Sequence, residues 1–214
     1  MQKIKLIVFD LDGTLIESSN TIYKTTKKTL EVLNVDSNIN KSELDKRIGE
    51  HFQTIFNDLN IPVKDIEEYI DIYKTIYFDF IDESIPYPNI EKILEWLKLN
   101  NYLISLLTTK AQEQADAIIN HFNYKKYFDL VFGRRNGLKV KPSPEPLLFI
   151  ANSLNIDIED TMIVGDTELD IQCGKAAGSL TCAVSYGYRK RNILEKENPD
   201  FIIDDILELK NIIA

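Results

Sequence analysis

The sequence predicts an α/β fold: a parallel sheet of about six strands with helices on both faces, interrupted by an all-helical insert. Two observations carry this reading. Short apolar runs and helical periodicities alternate regularly from residue 86 to the end, the pattern of repeated βα units. Residues 16–85, directly after the first apolar run, hold no such run and read as successive amphipathic helices. The expected division is therefore a core of residues 1–15 and 86–214 and a smaller helical cap domain of residues 16–85, set over the mouth of the sheet.

The elements follow in order. Ile4 to Phe9 is almost continuously apolar and ends on charge and Asp-Gly, as a strand covered on both faces should. Runs of the same kind recur at "YLISLLT" (102–108), "DLVF" (129–132), "TMIVG" (161–165), "LTCAV" (180–184) and "DFII" (200–203). Asn89 is placed to cap a helix carrying Ile90, Ile93, Leu94 and Leu97; Ala115, Ile118, Ile119 and Phe122 mark the next. Pro144 suits the opening of a helix with Leu147, Leu148 and Ala151, and "ELDIQCGKAAG" ends on Gly178, a helix stop. Within the insert, one helix carries Ile22, Thr26, Leu30 and Leu33, a second Phe52, Ile55, Phe56 and Leu59, and a third the stripe from Tyr69 to Phe80. Ser42 with Asp45 resembles a capping box, and Pro62 separates two of the helices. The core so described is Rossmann-like.

Composition narrows the function. The chain has 214 residues and a formal charge of -9, with 44% hydrophobic residues. An acidic protein of this kind lacks the basic footprint of a nucleic-acid binder. Its apolar runs are far shorter than the ~20 residues of a membrane helix, and the first one reaches carboxylates before a signal-peptide core is built, so a cytoplasmic protein is expected. Cys173 and Cys182, in helix-like and strand-like stretches, read as small buried hydrophobes rather than a disulfide.

Four stretches place polar side chains at expected strand ends: Asp10 and Asp12 with Gly13, Thr108 and Thr109, Lys141, and Asp166 with Asp170. In a parallel sheet those ends converge on one edge. Carboxylates gathered there repel by about 4 kcal/mol per pair at 4 Å and an effective dielectric near 20. A bound cation relieves this, and a donor set of oxygens without clustered His or Cys selects a hard ion, most naturally Mg²⁺. Since Mg²⁺ needs few direct carboxylates, Asp10 is free to attack phosphorus, and Asp12 is placed to give and take the proton. Gly13 allows a sharp turn, while Thr108 and Lys141 suit the oxygens of a transferred phosphoryl group.

"DLDGT", Thr108 after an apolar strand, Lys141-Pro142 and "GDTELD" resemble, in order, the four motifs of the haloacid dehalogenase superfamily of phosphohydrolases. The resemblance spans the chain and places the insert where helical-cap members carry theirs. "YPNIEKILEWL", "KPSPEPL" and "VGDTELDIQCGKAAG" resemble the phosphoglycolate phosphatase and pyrophosphatase-like branch most. It implies Asp10 as nucleophile and Mg²⁺ ligand, and Asp12 as acid/base with its backbone carbonyl on the metal. It further implies Thr108 and Lys141 on the phosphoryl group, Asp166 as second metal ligand and Asp170 as a supporting carboxylate. Departures from the branch lie at Glu17, at Thr108-Thr109-Lys110 and at Asn89, where a glycine is frequent.

The reading is a Mg²⁺-dependent phosphohydrolase of a small phosphorylated metabolite, acting without nucleic acid or membrane as a monomer or homodimer. Its alternatives are a phosphomutase sharing the aspartyl-phosphate, and a silent phosphometabolite-binding module. Arg134 and Arg135 are candidates for a second anion contact against the alternative of solvated loop arginines. His51 reads as a packed or surface side chain and the aromatic stripe as helix core, with Tyr23 and Phe52 as candidates to face the crevice.

Overall fold

The computed structural model describes residues 4–213, so the expected core segments extend beyond the described residues at 1–3 and at 214. In chain order the first elements are β1 (Leu6–Phe9), β2 (Ile16–Glu17), α1 (Ser19–Val32), α2 (Lys41–Asp45), α3 (Phe52–Asp58), α4 (Ile66–Tyr77) and β3 (Ile85–Pro86). Then come α5 (Ile90–Leu99), β4 (Leu103–Ala111), α6 (Gln112–His121), β5 (Leu130–Arg134), α7 (Glu145–Ser153), β6 (Thr161–Gly165) and α8 (Glu168–Ala177). The chain closes with β7 (Leu180–Val184), α9 (Arg191–Leu194), β8 (Phe201–Ile203) and α10 (Leu209–Ile213). It divides into two compact units, Met1–Ile16 with Pro86–Ala214, and Glu17–Ile85.

In the larger unit six strands form one sheet, ordered β5-β4-β1-β6-β7-β8 and parallel throughout. The chain steps outward from β1 through β4 to β5, then returns to β6 and steps the other way. The order therefore reverses between β1 and β6, the place where α/β sheets open a crevice beyond their strand ends. Phe9 lies opposite both Leu106 and Val164, so Asp10 and Asp166 come one and two residues beyond a shared level, while β4 runs on past it.

Burial explains the apolar runs. Leu6, Ile7, Val8 and Phe9 are fully buried. Leu6 and Val8 share a core with Leu107, Phe132, Leu147, Ile150, Ile163 and Cys173, which α7 and α8 cover. Each such aliphatic or aromatic side chain contributes about 1.5–3 kcal/mol on leaving water. β4 runs three residues beyond the expected 108: its pairing with β5 breaks after Leu107 and resumes with Ala111 opposite Arg134. Such breaks re-aim side chains at strand ends, and Thr108 and Lys110 lie within this one.

Helix ends follow a rule the periodicity did not show. Asn34, Asn60, Asn101, Asn123 and Asn155 all take positive φ, between 53° and 63°. The next residue's N–H returns to a helix carbonyl each time: Val35 to Leu30, Ile61 to Phe56, Tyr102 to Leu97, Tyr124 to Ile119 and Ile156 to Ala151. These are left-handed helix stops with asparagine in the glycine role, and Gly178 with Ser179 to Gly174 makes a sixth. Two expected caps are corrected. At α2 the cap is Asn40, which accepts from the Ser42 N–H, while Asp45 pairs with Lys41 because both lie within the helix one turn apart. Asn89 precedes α5 with φ 66°, a geometry that turns its side chain away from the first-turn N–H groups toward Asp205.

The smaller unit is helical apart from its ends, where β2 and β3 pair in a two-residue ladder too short to leave a pattern in sequence. α1 buries Thr21, Thr25 and Thr29, and this is tolerable because the Thr25 and Thr29 hydroxyls bond the carbonyls of Thr21 and Thr25. Phe52, Phe56, Tyr69 and Tyr73 pack ring on ring at centroid distances of 4.7–5.8 Å. Tyr69, Tyr73 and Tyr77 of the stripe are thus core, with Phe52 packed on the first two, while Phe78 near its far end is exposed. Among the described residues no helix is long and apolar enough to cross a membrane.

Candidate active site

At the end of β1 the chain remains tied to the sheet, the Asp10 N–H donating to the Val164 carbonyl at 2.9 Å. Asp10 and Asp12 are 7% and 9% exposed, so neither carboxylate can rely on bulk water. Gly13 then turns the chain at φ +89°. A Cβ there would lie 2.2 Å from Asp166 Oδ2, so position 13 requires glycine both for its backbone and for its neighbour.

Lys141 comes from the loop between β5 and α7 and is buried. Its ammonium donates to Asp10 Oδ1 at 2.6 Å, to Asp170 Oδ1 at 2.5 Å and to the Leu107 carbonyl at 3.2 Å. All three donors are thereby used. Burial opposes its charge, but the two carboxylates outweigh that and hold its pKa above the ordinary lysine value. Asp170 is in turn fixed within the first turn of α8, where its Oδ2 accepts from the Thr167 N–H and hydroxyl at 3.1 and 2.6 Å. Gly165 leaves room for it, because a Cβ there would lie 2.1 Å from the Asp170 carboxyl carbon.

Asp166 follows β6 and is fully buried. Its Oδ1 accepts from the Thr14 hydroxyl at 3.2 Å and its Oδ2 from the Tyr188 N–H at 2.8 Å. Asp10, Asp166 and Asp170 each offer an oxygen within 4.8 Å of the others. Desolvation, with repulsion among these carboxylates, pushes Asp10 up to about 7 and Asp166 well above the carboxylate range. Lys141 contacts two of the three acids and the Arg189 charge acts on the third, so the carboxylates outnumber these cations, and the donors are all oxygens. That donor set fits a hard divalent cation.

Asp12 stands apart from this triad, its Oδ2 lying 3.2 Å from Lys110 Nζ. Thr108 is buried and its hydroxyl oxygen accepts the Lys110 N–H, while Thr109 is half-buried at the end of β4. The Arg135 Nε–H donates to Gln112 and its guanidinium covers the Phe132 ring at 4.4 Å. His51 caps α3, accepting the Gln53 N–H, and Glu17 accepts from Ser19 at the start of α1. Both cysteines are free and buried, their thiols pushed up to about 12 by desolvation.

The sequence reading did not single out Thr14, Lys110 as the partner of Asp12, or the segment Tyr186–Tyr188. Only Thr14, within "DGT", carries a local signal. The others lie at loop positions that no periodicity marks.

Residues 7–184 match the family of haloacid dehalogenase-like hydrolases. The chain is 33% identical over 201 residues to a phosphoglycolate phosphatase of Aquifex aeolicus, covering 94% of this chain and 92% of the relative. It is 31% identical over 213 residues to the pyrophosphatase PpaX of Bacillus cereus, covering 99% and 97%. A solved haloacid dehalogenase-like family hydrolase from Streptococcus pneumoniae superposes over all of both chains with a TM-score of 0.89 at 25% identity. With the fold and this whole-length similarity together, the chain belongs to the haloacid dehalogenase superfamily, as a phosphatase of its phosphoglycolate phosphatase and pyrophosphatase-like branch.

Proposed function

We propose that this phosphatase is Mg²⁺-dependent and hydrolyses a small cytoplasmic phosphate ester or pyrophosphate through a phosphorylated Asp10. The observation that carries the proposal is the buried contact of Lys141 with Asp10 and Asp170 beside Asp166, at the point where the strand order reverses. A charged nucleophile, a fixed cation for the phosphoryl oxygens and a separately held carboxylate are the parts that phosphoryl transfer needs.

In the first step an Asp10 carboxylate oxygen attacks phosphorus and the bond to the leaving oxygen breaks, with Asp12 giving that oxygen a proton. In the second, Asp12 takes a proton from water as the water attacks phosphorus, which releases inorganic phosphate and restores Asp10. Lys110, 3.2 Å from Asp12 Oδ2, holds that carboxylate in place between the two steps. The Thr108 hydroxyl binds the phosphoryl oxygens together with Lys141, which exchanges one of its three present acceptors for them, and Gly13 in its turn and Thr109 in β4 line the same group. Asp10, Asp166 and the Asp12 carbonyl would hold Mg²⁺, with Asp170 supporting. Bound there, the ion would offset carboxylate repulsion and draw charge from the phosphoryl oxygens. The unit Glu17–Ile85 serves as the cap that selects the substrate.

The names of the relatives support phosphoglycolate and pyrophosphate as first substrates to try, with sugar phosphates and nucleotides after them. The test is phosphate release across such a panel with and without Mg²⁺. Release that needs Mg²⁺ and falls at least a thousandfold in Asp10→Asn is expected; full activity in Asp10→Asn overturns the proposal.

A further inference from the structure

The tripeptide Tyr186-Gly187-Tyr188, just beyond β7, touches the acidic site at three points. The Tyr186 hydroxyl donates to the Thr14 carbonyl at 2.9 Å. Thr14 in turn gives its own hydroxyl to Asp166 Oδ1. The Tyr188 N–H donates to the other oxygen, Asp166 Oδ2, at 2.8 Å. Between them Gly187 runs so close that a Cβ there would lie 2.3 Å from Asp166 Cβ and 2.4 Å from the Gly13 carbonyl. The Tyr186 ring packs on Tyr87 at 4.8 Å, and the Tyr87 N–H donates to the Leu15 carbonyl, so the strap grips both ends of the Gly13–Leu15 turn.

We propose that Tyr186 is a positioning residue, acting through Thr14, and that this strap fixes the carboxylate of Asp166 in the orientation in which it binds a divalent cation. The proposal rests on the metal reading given above. Its physical content is the locking of both Asp166 oxygens. A buried carboxylate beside two others would rotate to reduce repulsion, and each donor takes away part of that freedom. Groups that orient a metal ligand in this way are typically worth about 10–100-fold in metal affinity. Desolvation raises the Tyr186 phenol above its ordinary value, so it remains a donor over the working pH range. The hydrogen bond of the Tyr186 hydroxyl goes to the Thr14 carbonyl, so its effect on Asp166 orientation passes through Thr14.

The test is titration of the purified full-length protein with Mg²⁺ by calorimetry, in wild type, Tyr186→Phe, Gly187→Ala and Tyr102→Phe. Tyr102 is the control, because its hydroxyl makes a comparable bond to a backbone carbonyl, that of Ile213, on another part of the same unit. Tyr186→Phe keeps the ring and loses only the hydroxyl. It is expected to weaken Mg²⁺ binding about tenfold. Its melting temperature in EDTA should match that of Tyr102→Phe. With saturating Mg²⁺, its KM for p-nitrophenyl phosphate should be unchanged. Gly187→Ala should weaken Mg²⁺ binding further; should it not fold, Tyr186→Phe decides alone. Equal Mg²⁺ affinity in Tyr186→Phe and Tyr102→Phe overturns the positioning role while leaving the metal reading intact. A wild type that takes up no Mg²⁺ overturns both.

Discussion

The Lys141 ammonium lies 2.6 Å from the Asp10 carboxylate in a place where both groups are almost wholly buried. A contact of this kind does two things at once. It opposes the burial that raises the nucleophile's pKa, and it leaves two acids uncompensated if the lysine is lost. Lys141→Met should therefore lower the stability of the metal-free protein by about 3–5 kcal/mol, the usual cost of breaking a buried pair on one side. Phosphate release should fall at least 100-fold. Chemical denaturation in EDTA and steady-state kinetics check the two effects separately.

The carboxylates set a pH dependence for the metal-free protein. Asp10 is raised from an ordinary 3.8 to about 7, and Asp166 is raised as well, so between about pH 4 and 7 the folded chain binds more protons than the unfolded one. Stability from these groups is thus present below about pH 4 and is lost as pH rises through 7. In EDTA the melting temperature should drop by roughly 5 °C from pH 5.5 to pH 8. Added Mg²⁺ should raise it more at pH 8 than at pH 5.5, where protons compete for the same oxygens. A melting curve that is flat with pH in EDTA would contradict this.

Gly13 and Gly178 separate two reasons for glycine. Both have positive φ, +89° and +85°, but only at Gly13 is the space behind the residue filled, by Asp166. Gly178→Ala should cost about 1 kcal/mol of stability and leave kcat and KM alone. Gly13→Ala should pay the same backbone penalty and also displace Asp166, lowering kcat/KM by about 100-fold.

The asparagine stops offer a graded test in the same currency of backbone strain. Replacing Asn34, Asn101 or Asn155 by glycine should leave stability within about 0.5 kcal/mol of wild type. Replacing each by alanine should cost about 1 kcal/mol, since alanine bears the left-handed penalty without the local hydrogen bonding of an amide. Thermal denaturation of the two series, residue by residue, gives the comparison.

The sheet was legible in the sequence because its strands are covered on both faces. "TMIVG" and "LTCAV" match β6 and β7 residue for residue. The proximity of Asp10, Lys141, Asp166 and Asp170 was legible for a related reason: parallel strands carry their ends to one edge whatever the intervening loops do. What escaped was set by contacts between segments distant in sequence. Neither the pairing of Asp12 with Lys110 nor the approach of Gly187 to Asp166 has a periodic signature, because each depends on how a loop closes. The helix stops escaped for another reason. Asparagine is a polar residue common in any loop, and only the recurrence of Asn followed by Val, Ile or Tyr distinguishes it here.

That recurrence bears on how the protein ages. An asparagine amide is lost when the backbone nitrogen of the next residue attacks it. At Asn34, Asn60, Asn101, Asn123 and Asn155 that nitrogen is bonded to a helix carbonyl and belongs to a bulky residue. Asn136 is followed by Gly137 in the exposed turn that leads toward Lys141, where a Cβ on the glycine would meet nothing within 4 Å. On storage the chain should therefore acquire its new negative charge first at Asn136, a few residues from its buried lysine, while the helix ends keep their amides.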